Sequence, residues 1–197
     1  NQKEIFKKSF YVFIIRVLGY FCGFLFFWIV ANKYGTKIQG IFSLAFLFLS
    51  VGVMFSKLGI ETALVKWIAN SSSIASEKFI FYKSLIVVLV SSSVLGVVIY
   101  LLAPFISLMY NKPDIESSIK YAALCIPLLA LLEVSSILYQ GRKKTTIYGL
   151  YYYFGKFFLP LVCLLVFYYF NKVNKETPIL SYLFGLLFLT ILILYVI

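Results

Sequence analysis

The chain has 197 residues, of which 62% are hydrophobic and 13% charged, and its mean hydropathy is +0.98. About a quarter of the residues in a soluble domain are charged, so this composition excludes an ordinary soluble protein. The net charge is +11, but no basic helix or RNA-binding motif accompanies it, which excludes a nucleic-acid-binding protein. The chain has no histidine, which excludes Ser–His and Cys–His nucleophiles and most catalytic zinc sites.

Six apolar runs follow one another with short polar connections, and each can cross a bilayer as a helix of about 20 residues. The sequence therefore predicts an all-α polytopic membrane protein, with residues 1–197 forming one six-helix transmembrane lobe. Because it starts at Asn1 and ends within an apolar run, we expect a fragment of a longer chain. The predicted spans are 10–31, 41–60 with a helical extension to 69, 79–103, 119–139, 147–170 and 178–197.

The first span contains one arginine, Arg16, about 9 Å from its polar end. An ionised guanidinium facing hydrocarbon costs roughly 3 kcal/mol on insertion scales. Arg16 shares a helix face with Gly19, Tyr20 and Gly23, so we expect it to meet protein or water rather than lipid. The alternative is that the side chain of Arg16 snorkels to the interface.

The second span ends in SKLGIETALVKWIAN, residues 56–70. Lys57 and Glu61 are four residues apart and can pair on one helix face. Lys66 is five residues beyond Glu61, so it faces elsewhere. On these residues alone, the simplest interpretation is the interfacial end of a helix.

The fourth and fifth spans each contain one charged residue, Glu133 and Lys156. They lie about 10 Å and about 13 Å from the membrane surface nearest to Arg16. Two bases and one acid at similar depth on three helices favour a cationic cavity that binds an anion. The alternative is a buried Glu133–Lys156 pair that only fixes helix packing. The predicted substrate-binding residues are Arg16, Lys156, Glu133, Tyr20 and Tyr152. Tyr152 shares a helix face with Lys156, and the alternative for both tyrosines is a contact within the core or between helices.

The basic residues of the connections are more numerous on the side of the N-terminus, where residues 141–144 read GRKK. Cytoplasmic loops carry the excess of Lys and Arg, so this bias predicts a cytoplasmic N-terminus. Other basic residues near the span ends are explained by contacts with membrane lipids.

Two segments carry a resemblance to a known family: YGTKIQG, residues 34–40, and LGIETALVKWIA, residues 58–69. With Arg16, they resemble the N-terminal half of the Wzx-like polysaccharide biosynthesis proteins. These are the oligosaccharide and polysaccharide flippases of the multidrug/oligosaccharidyl-lipid/polysaccharide exporter superfamily. Lys66 departs from the arginine of the family pattern. The matching positions are Tyr34, Gly35, Gly40, Leu58, Gly59, Ala63, Leu64, Lys66, Ile68, Ala69 and Gly141.

The resemblance implies two six-helix lobes around a central cavity, with a missing C-terminal lobe as the partner of this one. It implies a multi-pass protein of the bacterial cytoplasmic (inner) membrane with its N-terminus in the cytoplasm. It also implies a transporter rather than an enzyme, without catalytic residues, metal or cofactor. H⁺ or Na⁺ is the candidate coupling ion.

We therefore expect a flippase that moves a polyprenyl-pyrophosphate-linked oligosaccharide across the inner membrane for O-antigen or capsule synthesis. One alternative is a multidrug or organic-cation antiporter of the same superfamily, although such a protein should line its cavity with acids. Another is a membrane polysaccharide polymerase or acyltransferase, which would need catalytic loops or histidines that this sequence lacks.

Overall fold

The structure is a computed structural model that describes residues 2–71, 73–170 and 174–197, with side chains from residue 9 onward. Asn1, from which we inferred a longer chain, lies outside the described residues. Within these ranges the chain forms helices and no β-strand. The helices are α1 (Gln2–Ile29, followed by a π-helical turn Val30–Tyr34), α2 (Thr36–Ser56), α3 (Ile60–Ala69), α4 (Ile74–Met109), α5 (Ile115–Gly141), α6 (Thr145–Gly149, followed by a π-helical segment Leu150–Gly155), α7 (Lys156–Tyr169) and α8 (Thr177–Val196).

In the part of the chain that the structure describes, six helical segments are long and apolar enough to cross a membrane. This confirms the prediction of an all-α polytopic membrane protein. The segments are Ser9–Tyr34, Thr36–Ser56, Ile74–Met109, Ile115–Gly141, Thr145–Tyr169 and Thr177–Val196.

Helix α4 extends beyond the predicted third span at both ends. It starts at a capping box, in which Ser73 and Ser76 each bond the backbone N–H of the other. At its other end the helix passes through Pro104 and continues to Met109. Proline removes one backbone hydrogen bond, and membrane helices tolerate this loss where neighbouring structure compensates.

The predicted helical extension of the second span is a separate helix. The chain turns at Leu58 and Gly59, whose φ angles are 49° and 73°. Glycine adopts this left-handed conformation without a steric cost, so Gly59 can end one helix and begin the next. As a result α3 carries Glu61 and Lys66 in a direction of its own, while Lys57 stays at the end of α2.

Helix α5 lies at the centre of the bundle. In its most apolar window 72% of the residues are buried, against 22% to 44% in the other five spans. It packs against α2, α3, α4 and α8. Since α5 carries Glu133, the carboxylate predicted from the sequence lies inside the protein.

Helix α1 packs closely against the π-helical segment of the fifth span. A side chain at Gly19 would collide with the backbone of Tyr153, and Gly23 faces the ring of Phe157. The absence of a side chain at Gly19 therefore allows this close approach. It brings the face of α1 that carries Arg16 next to the tyrosines of residues 148–153.

Candidate functional site

Two acids and two bases from four segments form a continuous ion-pair network, here called the Glu133 cluster: Lys57, Glu61, Glu133 and Lys156. The Nζ of Lys57 lies 2.6 Å from Oε2 of Glu133 and 2.8 Å from Oε1 of Glu61. The Nζ of Lys156 lies 3.2 Å from Oε1 of Glu133. The cluster joins α2, α3, α5 and α7 and carries no net charge.

The members of the Glu133 cluster differ in their exposure. The side chain of Glu133 is 7% exposed, that of Lys57 12% and that of Lys156 21%. A buried carboxylate is strongly unfavourable unless it is paired, and Glu133 accepts a hydrogen bond from each lysine. Lys156 has the longer contact and the greater exposure, so it is the member best placed to exchange Glu133 for another anion.

Lys57 remains charged in this surrounding. Burial acts to lower its pKa, but the nearby carboxylates of Glu133 and Glu61 outweigh burial, so its pKa is raised. Lys57 therefore acts as a permanent counter-ion that holds Glu133 in place.

Four tyrosines form an aromatic patch beside the Glu133 cluster: Tyr20 of α1, and Tyr148, Tyr152 and Tyr153 of the fifth span. The ring centroid of Tyr152 lies 5.0 Å from the ring centroid of Tyr148 and 5.0 Å from that of Tyr153. The Tyr20 and Tyr153 centroids are 6.2 Å apart. These rings present a continuous surface that joins α1 to the fifth span.

Each intramembrane cation rests on a ring of this tyrosine patch. The Cζ of Arg16 lies 4.5 Å from the ring centroid of Tyr153, and the Nζ of Lys156 lies 4.9 Å from that of Tyr152. Contacts of this kind attract a cation to the ring face by about 0.5–2 kcal/mol. Because the rings of Tyr152 and Tyr153 are neighbours, Arg16 and Lys156 lie over adjoining parts of the tyrosine patch.

The π-helical segment Leu150–Gly155 produces this arrangement. A π-helical turn holds more residues than an α-helical turn, and such turns occur frequently at functional sites. It carries Tyr152 and Tyr153 and ends directly before Lys156. The local change of helical pitch thus turns Tyr152, Tyr153 and Lys156 towards α1 and α5.

Four of the five predicted substrate-binding residues belong to these two groups: Glu133 and Lys156 to the Glu133 cluster, and Tyr20 and Tyr152 to the tyrosine patch. The fifth, Arg16, lies over the ring of Tyr153 in that patch. Arg16 and Tyr20 are exposed, so in the described part of the chain the site is an open face rather than an enclosed cavity. Within the described ranges Arg16 forms no ion pair, whereas Lys156 is paired with Glu133. The positive charge that is free to bind an anion therefore comes from Arg16.

The segment around Lys57 is more than an interfacial helix end. Lys57 and Glu61 pair as the four-residue spacing predicted, but Lys57 also reaches the buried Glu133. This second contact adds one base, Lys57, and one acid, Glu61, to the predicted charges, so the excess of one positive charge is unchanged. Lys66 is exposed and, among the described residues, has no ion pair, in agreement with the prediction that it faces elsewhere.

Sequence reasoning missed Tyr148, Tyr153 and the contact of Lys57 with Glu133. The run YYYF at residues 151–154 was a usable signal, but α-helical spacing selected only Tyr152 as a neighbour of Lys156. The π-helical segment brings Tyr153 to the same surface. Lys57 lies one residue beyond the span, so its reach into the bundle depended on the turn at Leu58 and Gly59.

In a comparison with protein families, the model of a family described as polysaccharide biosynthesis protein matches residues 37–196. The matched region contains the whole Glu133 cluster and three of the four tyrosines of the patch. No curated protein and no solved structure shows significant similarity to the chain.

Proposed function

Because the chain belongs to the polysaccharide biosynthesis protein family, we propose that it translocates an anionic lipid-linked oligosaccharide across the bacterial cytoplasmic membrane. Its six spans make it a multi-pass membrane protein with a role in polysaccharide biosynthesis. The proposal adds the substrate, an oligosaccharide on a polyprenyl pyrophosphate, and the transport step. It also includes a cytoplasmic N-terminus.

One observation carries the proposal: Arg16 and Lys156 lie over the neighbouring rings of Tyr153 and Tyr152, well inside their spans. A flippase must move a polar, anionic headgroup through about 30 Å of hydrocarbon while the lipid tail stays in the bilayer. Arg16 supplies a planar guanidinium that binds phosphate oxygens in bidentate fashion. Its place on Tyr153 holds this group at the surface without an acidic partner among the described residues.

The tyrosine patch is suited to the sugar part of such a substrate. Aromatic rings offer apolar faces to the C–H groups of a sugar, and phenol hydroxyls offer hydrogen bonds. Tyr20 is 65% exposed, so it is directly available on the open face. The proposed substrate thus meets Arg16 with its phosphates and the tyrosine patch with its sugars.

Glu133 limits how tightly the site holds an anion. Its carboxylate is already paired with the ammonium group of Lys156, so an arriving phosphate must compete with Glu133 for that group. A transporter needs binding that is favourable enough to load and weak enough to release. Protonation of Glu133, or Na⁺ binding next to it, would change this competition and offers a place where H⁺ or Na⁺ could be coupled to transport.

The open face implies that further protein completes the site. We propose that a second, C-terminal lobe faces this one across the tyrosine patch and encloses the substrate. Rocking of one lobe against the other would then expose the site to either side of the membrane.

The structure offers little for an organic-cation antiporter at this site. Such a protein requires an acid that is free to bind the cation. Both acids of the Glu133 cluster are paired with lysines, and the unpaired charge on the face is the guanidinium of Arg16.

The test is translocation of a fluorescent lipid-linked oligosaccharide by the full-length protein in reconstituted vesicles. We expect Arg16→Ala to lower the rate by about tenfold to a hundredfold, because a charged hydrogen bond contributes about 1.5–3 kcal/mol. Arg16→Lys should retain an intermediate rate, since lysine keeps the positive charge but cannot bind phosphate oxygens in bidentate fashion. Lys83→Ala, which removes an exposed lysine of α4, is the control. A wild-type rate in Arg16→Ala would remove Arg16 from the mechanism.

A further inference from the structure

A pocket lies at the end of the bundle opposite the Glu133 cluster. It is here called the loop-end pocket. It has a volume of about 480 Å³ and lies between the start of α2 and the connection of α4 to α5. Lys37 at this end and Lys57 near the other are separated along α2 by about 30 Å. The loop-end pocket is therefore independent of the proposed transport site.

The floor of the loop-end pocket is apolar. It is formed by Ile41 and Leu44 of α2 and by Ile115 at the start of α5. Ile41 and Ile115 also belong to a small hydrophobic core with Ile119 and Ala103, so the floor is rigid. This surface suits hydrocarbon and offers little to a small hydrated ion.

The rim of the loop-end pocket is basic. Asp114 bridges two lysines that are distant in sequence, Lys37 at the start of α2 and Lys175 before α8. The Nζ of Lys37 lies 2.9 Å from Oδ2 of Asp114, and the Nζ of Lys175 lies 2.9 Å from its Oδ1. We call these three residues the Asp114 clasp. Hydrogen bonds from Lys175 and Lys37 lower the pKa of Asp114 to about 2, so its carboxylate stays ionised.

Lys112 adds a positive charge to the rim that no acid balances. In the described ranges it forms no ion pair, and it lines the pocket opposite Lys37. Its backbone is fixed, because its N–H bonds the carbonyl of Ser107 and its carbonyl accepts the N–H of Ile115. With Lys37 and Lys112 set against Asp114, the lining of the pocket keeps an excess of one positive charge.

We propose that the loop-end pocket binds the phosphate headgroup of an anionic phospholipid, with Lys112 and Lys37 at the phosphate and the start of an acyl chain on the apolar floor. The volume is within the range of about 300–1,000 Å³ that is typical of ligand pockets. The pocket lies where three spans leave the membrane, and the exposed ring of Tyr110 marks the interface beside it. Basic residues at this level attract anionic lipids.

Gly40 offers a direct way to close the pocket. It lines the pocket, and a side chain placed there meets no atom within 4 Å. Gly40→Trp should therefore fill the space without disturbing the helix. The matched control is Leu47→Trp, which puts the same side chain on an exposed position of α2 outside the pocket.

The experiment measures by native mass spectrometry how much phosphatidylglycerol the chain retains on release from detergent micelles. Phosphatidylcholine serves as the zwitterionic comparison. We expect Lys112→Ala to lower phosphatidylglycerol retention about fivefold, and Gly40→Trp to lower it at least as much. Leu47→Trp should behave as the wild type. Excess inorganic phosphate should leave the lipid bound, since phosphate alone does not use the apolar floor.

Retention of phosphatidylglycerol at the wild-type level in both pocket variants would overturn the proposal. Equal retention of phosphatidylcholine in the wild type would also overturn it, because the basic rim would then have no role. Displacement by inorganic phosphate would assign the pocket to free phosphate instead of a lipid. The unfolding temperatures of all variants, measured in the same detergent, establish that each one is folded.

Discussion

The two ends of the bundle use the same arrangement of charges in opposite surroundings. At one end Glu133 lies between Lys57 and Lys156, and at the other Asp114 lies between Lys37 and Lys175. In each case one carboxylate ties together segments that are distant in sequence. The carboxylate side chain is 7% exposed at Glu133 and 37% exposed at Asp114.

Burial gives these two arrangements different energetic roles. In water an ion pair competes with hydration and is screened by salt, so an exposed pair adds little stability. Inside the bundle the charges have lost most of their hydration, and each depends on its partners. The Glu133 cluster is therefore sensitive to any change in its members, whereas the Asp114 clasp tolerates change.

The largest effect should follow the loss of the buried carboxylate. Glu133→Gln leaves two lysines next to a neutral side chain, and breaking a buried pair in this way costs about 3–5 kcal/mol. We expect a clear fall in the thermal unfolding temperature of the purified protein in detergent. Asp114→Asn is the matched control, because it makes the same chemical change in the exposed arrangement. Equal effects of the two substitutions would contradict the difference between the two ends.

A smaller effect should separate the two lysines that hold Glu133. Lys57→Met removes the 2.6 Å contact and leaves Glu61 without its partner, so we expect a loss of about 2 kcal/mol. Lys156→Met removes only the 3.2 Å contact, with an expected loss of about 1 kcal/mol. The unfolding temperatures of both variants, measured in one detergent, show which substitution destabilises the protein more. If Lys156→Met were the more destabilising, Lys156 rather than Lys57 would be the main counter-ion of Glu133.

The two ends also differ in how far the sequence could predict them. Arg16, Glu133 and Lys156 stand out because each interrupts an apolar run, and their distances from the span ends predict that they lie at similar depth. The six spans followed from the same runs. Depth along a helix, however, does not determine which side chains touch.

The remaining features depend on departures from regular helix geometry. The π-helical segment changes the face that Tyr153 presents, and the turn at Leu58 and Gly59 places Lys57 against Glu133. The Asp114 clasp joins the start of α2 to two connections that are far apart in the chain. Such contacts arise from the packing of the whole bundle, so periodicity within one span gives no signal for them.

The smallest effect should appear at the Asp114 clasp and depend on pH and salt. The pKa of Asp114 falls from its ordinary 3.8 to about 2 in the folded protein. Because it is depressed, its contribution to stability is fully present above pH 3.8 and is lost as the pH falls towards 2. Between pH 5 and pH 8 the unfolding temperature of the wild type should thus exceed that of Asp114→Asn by a constant amount. High salt should reduce this advantage, since the screening length at 1 M is only about 3 Å. Unfolding temperatures of both proteins, compared at low and high salt, measure it. An advantage that survived high salt would mean that Asp114 acts by more than its exposed ion pairs.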